Sequence, residues 1–168
     1  KSDQEIHLLH KDGEERWLRA LSTRVVYRGK PAIQVALFDV TEQRRAEQSS
    51  AHAAAIIHSS NDAIISKSLA GTIVSWNPGA EHMYGYAAAE MIGQPASLLI
   101  PPERRGETDR ILRDIRRGST VKYCETVHRH KDGHLLNVSL TMSPIRDSHG
   151  EVTGVSVIAQ DITERIQA

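Results

Sequence analysis

The sequence is poor in several features that would assign it to a specialised class of protein. It has one cysteine, Cys124, among 168 residues, which excludes an internal disulfide framework and is typical of a reducing, cytoplasmic setting. Lys and Arg together number 21, as do Asp and Glu, so the formal charge is zero. This balance argues against a strongly basic nucleic-acid binder. No apolar run approaches the roughly 20 residues that span a bilayer, so we expect no membrane contact.

What the sequence does contain is an ordered series of turns and strands near its C-terminal end. Residues 130–133 read HKDG, and Asp-Gly is a tight-turn dipeptide. Residues 136–142 alternate apolar and polar side chains, which predicts a half-buried strand, and residues 155–159 predict a second strand. Residues 161–164 read DITE, where Asp161 and Glu164 are spaced as in a capping box. We therefore expect a hairpin that leads directly into a helix.

The same series occurs near the N-terminus. Residues 10–13 repeat HKDG and residues 39–42 read DVTE, at offsets of 130 − 10 = 120 and 161 − 39 = 122. A repeat of this length is domain-sized rather than the period of a solenoid. We therefore divide the chain into the final strands of a partial unit (residues 1–40), a linker helix (41–59) and a complete unit (60–165). Because the chain starts inside a unit, we expect it to be part of a longer protein.

The partial unit is expected to expose apolar side chains, because it lacks the other elements of its domain. Its two or three antiparallel strands are expected to place Trp17, Leu21, Ile33, Val35 and Leu37 on one apolar face. A small isolated sheet of this kind is marginal in water. Two solutions remain open: the face packs on the complete unit of the same chain, or on a partner chain.

The linker, residues 41–59, contains neither Gly nor Pro up to Ala55 and is rich in good helix formers. Val40, Glu47, Ala54 and Ile57 stand at coiled-coil-like spacing, but the middle of this seam is polar. One interpretation is a solvated spacer with apolar ends. The other is a signalling helix that dimerises and transmits conformational change.

Two further stretches extend the pattern upstream. Residues 75–86 read SWNPGAEHMYGY, with Asn77 as expected helix N-cap and Gly85 as helix stop, and residues 90–94 read EMIGQ. Together with the DITE and DVTE junctions, these stretches closely resemble the PAS sensor domains. The resemblance covers residues 50–165 as a full domain and residues 5–42 as a partial one. It implies an α+β fold, a five-stranded antiparallel sheet with short helices on one face and a pocket beneath them.

For function, the resemblance implies a signal-transduction module of the kind found in two-component systems. A homodimer and a downstream output domain such as a kinase or cyclase are the expected partners. Asp39 and Thr41, and likewise Asp161 and Thr163, stand where a strand becomes a helix, so we expect them to relay strain in the sheet to the helix. Two alternatives remain open: a gas or redox sensor that binds haem or flavin, and a spacer that only dimerises, without any ligand.

The resemblance also allows two cofactor chemistries to be tested. In the blue-light flavin type, a reactive Cys falls where this chain has Ala96, and a Gln two residues before the final Asp falls on Ala159. In haem-binding oxygen sensors, the iron-binding His falls seven residues after Pro101, on Thr108, which is no haem ligand. We therefore predict no confident cofactor, while haem or flavin held through another ligand stays open.

The expected lining of the pocket is apolar and offers no obvious anchor for a charged ligand. It fits either a plain core or a small apolar ligand, and both interpretations stay open. The candidate lining residues lie on the predicted strands and the first helix: Trp76, Tyr84, Cys124, Val138, Leu140, Met142 and Val157. For Trp76 and Tyr84, simple packing in the core under the short helices is favoured over a wall that stacks on a ligand ring. Cys124, His128, His130 and His134 have metal-ligating side chains, but their place at a hairpin favours ordinary partly exposed residues.

The sequence gives little reason to expect catalysis. His52 and His58 stand on or near the linker helix, yet they lack the acidic residue and the Arg-Thr-Pro stretch that follow the phospho-accepting His of sensor kinases. Neither a nucleotide-binding loop nor a nucleophile triad motif is present. We expect a non-catalytic module.

Overall fold

The computed structural model describes residues 2–167 as two compact units, one ending at Ala54 and one beginning at Ala55. The first unit is a meander of three strands, β1 (Ser2–Leu9), β2 (Glu15–Tyr27) and β3 (Lys30–Asp39), in the order β1-β2-β3. Helix α1 (Thr41–Ser59) follows and crosses the boundary between the units. The prediction was two or three strands followed by a helix, and the structure has three strands and the helix.

The register of the first sheet corrects one expectation. Leu21 pairs with Ala36, whereas Val35 pairs with Ser22. Because directly paired residues point to the same face, Trp17 and Leu21 lie on the face opposite Ile33, Val35 and Leu37. The face that carries the last three, called here the apolar face, comprises Ile6, Leu8, Leu18, Ala20, Val26, Ile33, Val35 and Leu37.

The second unit contains the five-stranded antiparallel sheet, in the order β5-β4-β8-β7-β6. Its strands are β4 (Ala63–Ser68), β5 (Ile73–Trp76), β6 (Val121–Arg129), β7 (Leu135–Arg146) and β8 (Val152–Asp161). Its helices are α2 (Pro78–Tyr84), α3 (Ala88–Met91), α4 (Arg105–Arg116) and α5 (Thr163–Gln167), with short 3-10 helices at Ala96–Leu99 and Pro102–Arg104. The predicted fold class, α+β with short helices between the second and third strands of this sheet, is confirmed.

Burial explains why the helices lie where they do. Alternate residues of β7 and β8 are buried, among them Leu140 and Met142 on β7 and Val155 and Val157 on β8. They pack with Tyr84, Met91 and Ile115 from the helices. This pattern of period two along the strands is what the sequence predicted, and it produces one core between the sheet and the helices.

Asn77 organises the entry into that core. Its side-chain oxygen accepts hydrogen bonds from the amides of Ala80 (2.9 Å) and Ile64 (2.8 Å), while its amide group donates to the carbonyls of Ile57 (3.0 Å) and Asp62 (3.1 Å). It therefore caps α2, as predicted, and also joins the end of α1 to the start of β4.

None of the helices formed by residues 2–167 is long and apolar enough to cross a membrane.

Candidate functional site

A cavity lies between the sheet and the helices of the second unit. It encloses about 50 Å³, several times the roughly 10–15 Å³ that one water molecule needs. Strands β4 to β8 form its floor, and α2, α4 and the Ala96–Leu99 turn form its roof. The lining is mainly apolar: Ile65, Ile73, Ala96, Leu99, Ile100, Ile111, Leu140, Met142 and Val157, with Lys67, Tyr84, Glu107, Thr108, Cys124, Thr126 and His128 as its remaining members.

Most of the residues expected to line a pocket meet at this cavity. They are Tyr84, Cys124, Leu140, Met142 and Val157. Trp76 and Val138 do not line it, although both are buried. Trp76 instead donates a hydrogen bond from its indole nitrogen to the carbonyl of Tyr86, at 3.0 Å, so these two side chains belong to the core beside the cavity.

The polar groups at the cavity include a buried hydrogen-bonded pair. The hydroxyl of Tyr84 lies 2.8 Å from Nδ1 of His128. Burial, together with the nearby charge of Lys67, lowers the pKa of His128 from 6.5 to about 4. Burial, with the charge of Asp161, raises the pKa of Tyr84 well above its usual range. Both side chains are therefore neutral near pH 7.

Lys67 is the functional candidate that sequence reasoning missed. It is only 6% exposed and lines the cavity together with apolar side chains. The expectation that the pocket offers no anchor for a charged ligand is therefore wrong. The signal was available, because Ala63, Ile65 and Lys67 are alternate residues of one strand and share its buried face.

The two predicted strand-to-helix junctions have the same hydrogen bonds. At the first, the hydroxyl of Thr41 accepts from the amide of Trp17 (2.9 Å), and Val40 donates its amide to the carbonyl of Trp17 (2.9 Å). At the second, Thr163 accepts from the amide of Asn137 (3.0 Å), and Ile162 donates to the carbonyl of Asn137 (2.8 Å). Each helix is thus fastened to the strand next to the one that precedes it.

The acidic residue of each junction acts differently from the capping box that its spacing predicted. Asp161 accepts the amide of Thr163, two residues on, at 2.8 Å, rather than that of Glu164. Asp39 accepts both the amide (3.0 Å) and the hydroxyl (2.6 Å) of Thr41. Hydrogen bonds from Thr41, and then the Arg16 guanidinium 3.3 Å away, hold the pKa of Asp39 below its usual range. A turn two residues long therefore replaces the box at both sites.

Comparison with known proteins decides the family. A family model described as PAS domain matches residues 61–164. The chain belongs to the PAS domain family. The matched segment holds both the cavity and the second junction.

Two relatives of this PAS domain are named as signalling proteins. The chain is 31% identical over 110 residues to the signal transduction histidine-protein kinase AtoS of Escherichia coli (strain K12), covering 66% of this chain and 18% of that protein. It is 32% identical over 100 residues to two-component system protein A of Emericella nidulans, covering 58% and 14% respectively. The chain therefore spans less than a fifth of the length of either relative.

Solved structures agree on the fold. A PAS domain of a protein from Colwellia psychrerythraea is 30% identical, with a TM-score of 0.57, covering 74% of this chain and 98% of that one. An RNA-binding light-oxygen-voltage receptor gives a TM-score of 0.61 at 15% identity, covering 99% of this chain and 79% of that one. At such low identity the second likeness shows the fold alone.

The residues at this cavity can be compared with those that flavin and haem sensors need at the same positions. Ala96 and Thr108, which stand at the positions of the reactive Cys and the haem-binding His, both line the cavity. Ala159 is fully buried, whereas the neighbouring Gln160 is exposed and donates to the carboxylate of Asp62. Neither the thiol nor the ligand that those two chemistries need is therefore supplied at these positions.

The histidines at the hairpin are explained by the turn. His130, Asp132 and His134 bring their ligand atoms within 4.8 Å of one another, and hydrogen bonds from His134 to Asp132 lower the pKa of Asp132 to about 2. Cys124 and His128 lie apart from this group, at the cavity. The repeated turn shows the same contacts: the amide of Glu14 donates to Asp12, whose carboxylate lies 2.7 Å from His10. The arrangement persists where Glu14 replaces the second His, so its hydrogen bonds stabilise the turn in both units.

Proposed function

We propose that this PAS domain is a non-catalytic sensory module that couples the state of its cavity to the helix after β8. The observation that carries the proposal is the bond between Asn137 and Thr163. Asn137 lies on β7, the strand that also contributes Leu140 and Met142 to the cavity. A displacement of β7 by an occupant therefore acts directly on the first residue of α5, through Thr163 (3.0 Å) and Ile162 (2.8 Å).

The output side of the proposal is supported by the relatives. One is named as a histidine-protein kinase and the other as a two-component system protein. We assign the catalytic step to an output domain that follows the module in a longer, cytoplasmic protein, as the single cysteine favours. Asp161 and Thr163 would relay the signal out of the complete unit, and Asp39 and Thr41 would do so for the preceding one.

Xenon tests this coupling without knowledge of the natural ligand, because it occupies apolar cavities. Amide and methyl NMR spectra under xenon pressure should show shifts at the methyls of Leu140 and Met142 and, with them, at the amides of Ile162 and Thr163. In Thr163→Val the methyl shifts should remain and those on α5 should shrink. Methyl shifts with an unchanged α5 in the wild type would contradict the proposal.

The proposal includes a homodimer that covers the apolar face of the first sheet. Ile33 and Leu37 are 69% and 59% exposed on this face, and exposed apolar patches are typical of association surfaces. Leu37→Asp should weaken self-association measured by sedimentation velocity. Phe38→Asp is the matched control, since Phe38 is 51% exposed on the opposite face. A wild-type chain that sediments as a monomer at every concentration would contradict this part of the proposal.

A further inference from the structure

Lys67 stands at the mouth of the cavity. On one side it contacts the apolar cavity already described, and on the other it borders an outer depression of about 260 Å³. The two spaces share Lys67, Ala96, Ile100 and Thr108. The two spaces therefore adjoin between the Ala96–Leu99 3-10 helix and α4, and Lys67 lies on their border.

The ammonium group of Lys67 has no anionic partner. Within residues 2–167 it forms no ion pair within 4.0 Å and no side-chain hydrogen bond, and burial alone lowers its pKa. Glu107 lines the inner cavity and Asp109 the outer depression, yet neither carboxylate pairs with it. Lys67 is 6% exposed, and the described residues include no fully buried side-chain nitrogen without a hydrogen-bond partner, so the ammonium nitrogen keeps some contact with solvent. A mostly buried cation without a counter-charge costs free energy, and an anionic ligand would reduce that cost.

The rest of the cavity defines the body of such a ligand. Ile65, Ile73 and Leu140 offer apolar surface beyond the lysine, so the buried part of the ligand must be apolar. An engineered cavity of about 150 Å³ holds benzene, and the inner cavity here encloses about 50 Å³. The apolar part must therefore be short, while the charged end lies toward the wider mouth.

We propose that the cavity binds a short-chain monocarboxylate, with its aliphatic tail inside the cavity and its carboxylate on the ammonium of Lys67. The carboxylate suits the position because the lysine supplies up to three N–H donors, and Arg105 on the wall of the outer depression adds a second positive charge. This inference rests on the proposed function in one respect: it names the class of signal that the module senses.

Binding of pentanoate measured by isothermal titration calorimetry or ligand-observed NMR tests the inference. Pentanamide, of nearly the same shape but without charge, is the reference ligand. The wild-type chain should bind pentanoate at least ten-fold more tightly than pentanamide. Lys67→Gln should remove this preference, lowering pentanoate affinity ten-fold or more while pentanamide affinity stays the same.

Two control variants separate the site from general charge effects. Lys122→Gln removes a positive charge from an exposed position of β6 and should leave the preference intact. Glu107→Gln removes the competing carboxylate of the inner cavity and should raise pentanoate affinity while pentanamide affinity stays the same. Lys67→Met, in which an apolar chain of similar length fills the space, repeats the test if Lys67→Gln folds poorly, with circular dichroism as the check on folding.

Several results would overturn the inference: no pentanoate binding, equal affinity for pentanoate and pentanamide, or undiminished pentanoate binding in Lys67→Gln. These results leave the xenon experiment unaffected, so a module that couples cavity to helix but binds no carboxylate would refute this inference alone. Selective pentanoate binding with no change on α5 would refute the proposed coupling and retain the carboxylate site.

Discussion

The first sheet and the last three strands of the second sheet are two versions of one structure with opposite surroundings. Thr126 pairs with Val138 as Ile6 pairs with Leu18, and Leu140 pairs with Ala159 as Ala20 pairs with Leu37. The register is therefore the same at offsets of 120 and 122 residues. Ile33 corresponds to Val155, but Ile33 is 69% exposed whereas Val155 is fully buried.

The difference between them lies in what covers the face. In the second unit β4 and β5 extend the sheet, and α2, α3 and α4 pack against its inner side. The first unit has β1, β2, β3 and the start of α1, and the described residues of its apolar face are half-buried or exposed. Alternation of apolar residues therefore determines which side of a strand is suited to burial, while burial itself depends on the elements added around it.

The largest expected effect contrasts Val155→Asp with Ile33→Asp. An unpaired charge in the core of the second unit should lower its free energy of unfolding by about 3–5 kcal/mol. The same substitution on the open face should change the stability of a monomeric chain by about 0.5 kcal/mol or less. Residue-resolved amide hydrogen exchange measures both units in one sample.

An equal loss of protection in the two variants would break the comparison, because it would show that Ile33 is buried in solution. If that loss appeared only at concentrations where the wild-type chain self-associates, the homodimer would account for it. The comparison would then hold for the single chain and the apolar face would be assigned to the dimer.

A smaller effect on stability is expected at His128, which has Leu8 as its equivalent in the first sheet. His128 has its pKa lowered from 6.5 to about 4 in the folded unit, so the unfolded chain binds one more proton between these values. The stability of the second unit should therefore fall as pH drops through this window, by up to about 3 kcal/mol. Urea unfolding at a series of pH values between 7 and 4 measures the loss.

His128→Leu, which imports the residue of the first sheet, should flatten this pH dependence even if it lowers stability overall, since Tyr84 loses its partner. His82→Gln, at an exposed position of α2, should keep the slope of the wild type. A slope that survives in His128→Leu would assign the effect to other groups near the cavity. The ionisable members of its lining, besides His128, are Lys67, Tyr84, Glu107 and Cys124.

The sequence allowed most of the fold to be predicted because local signals agreed with one another. Asn77 and Gly85 were expected to begin and end α2, and they do so, with Gly85 at a positive φ of 79°. The strands of both units followed from alternation between Asp-Gly and Gly turns. What local signals did not determine was the pairing register, so Trp17 and Leu21 were assigned to the wrong face of the first sheet.

The candidate site was harder to predict from the sequence, because local signals also do not determine which buried residues surround a cavity. The apolar members of the cavity lining stand at period two, and five of the seven expected residues contact the cavity. Lys67 shares that period, but charged residues are rarely buried without a partner, so composition argued against it. Trp76 and Val138, also expected there, are buried but do not line the cavity, because alternation separates inner from outer residues and does not distinguish cavity lining from core.

The smallest expected effect concerns the two strand-to-helix junctions. Both have the hydrogen bond from a strand amide to a threonine hydroxyl, but the neighbouring aspartates make different contacts. Asp39 accepts two hydrogen bonds from Thr41 and pairs with Arg16. Asp161 accepts the amide of Thr163, and Leu136 stands at the position of Arg16. Asp39→Ala should therefore raise hydrogen exchange in the first turn of α1 more than Asp161→Ala does in α5.

Lowering the pH gives a second test of the difference between the two junctions. The pKa of Asp39 is lowered, first by the hydroxyl of Thr41, so its contribution is present above the ordinary Asp range and is lost as pH falls through the lowered value. The amide protection factors at the start of α1, which are corrected for the intrinsic exchange rate at each pH, should fall over that interval in the wild type. They should show no such fall in Asp39→Ala. Arg16→Leu, which copies Leu136 into the first unit, should make the first junction behave like the second. If the two junctions already respond alike, the threonine bond alone fastens both helices and the ion pair contributes nothing measurable.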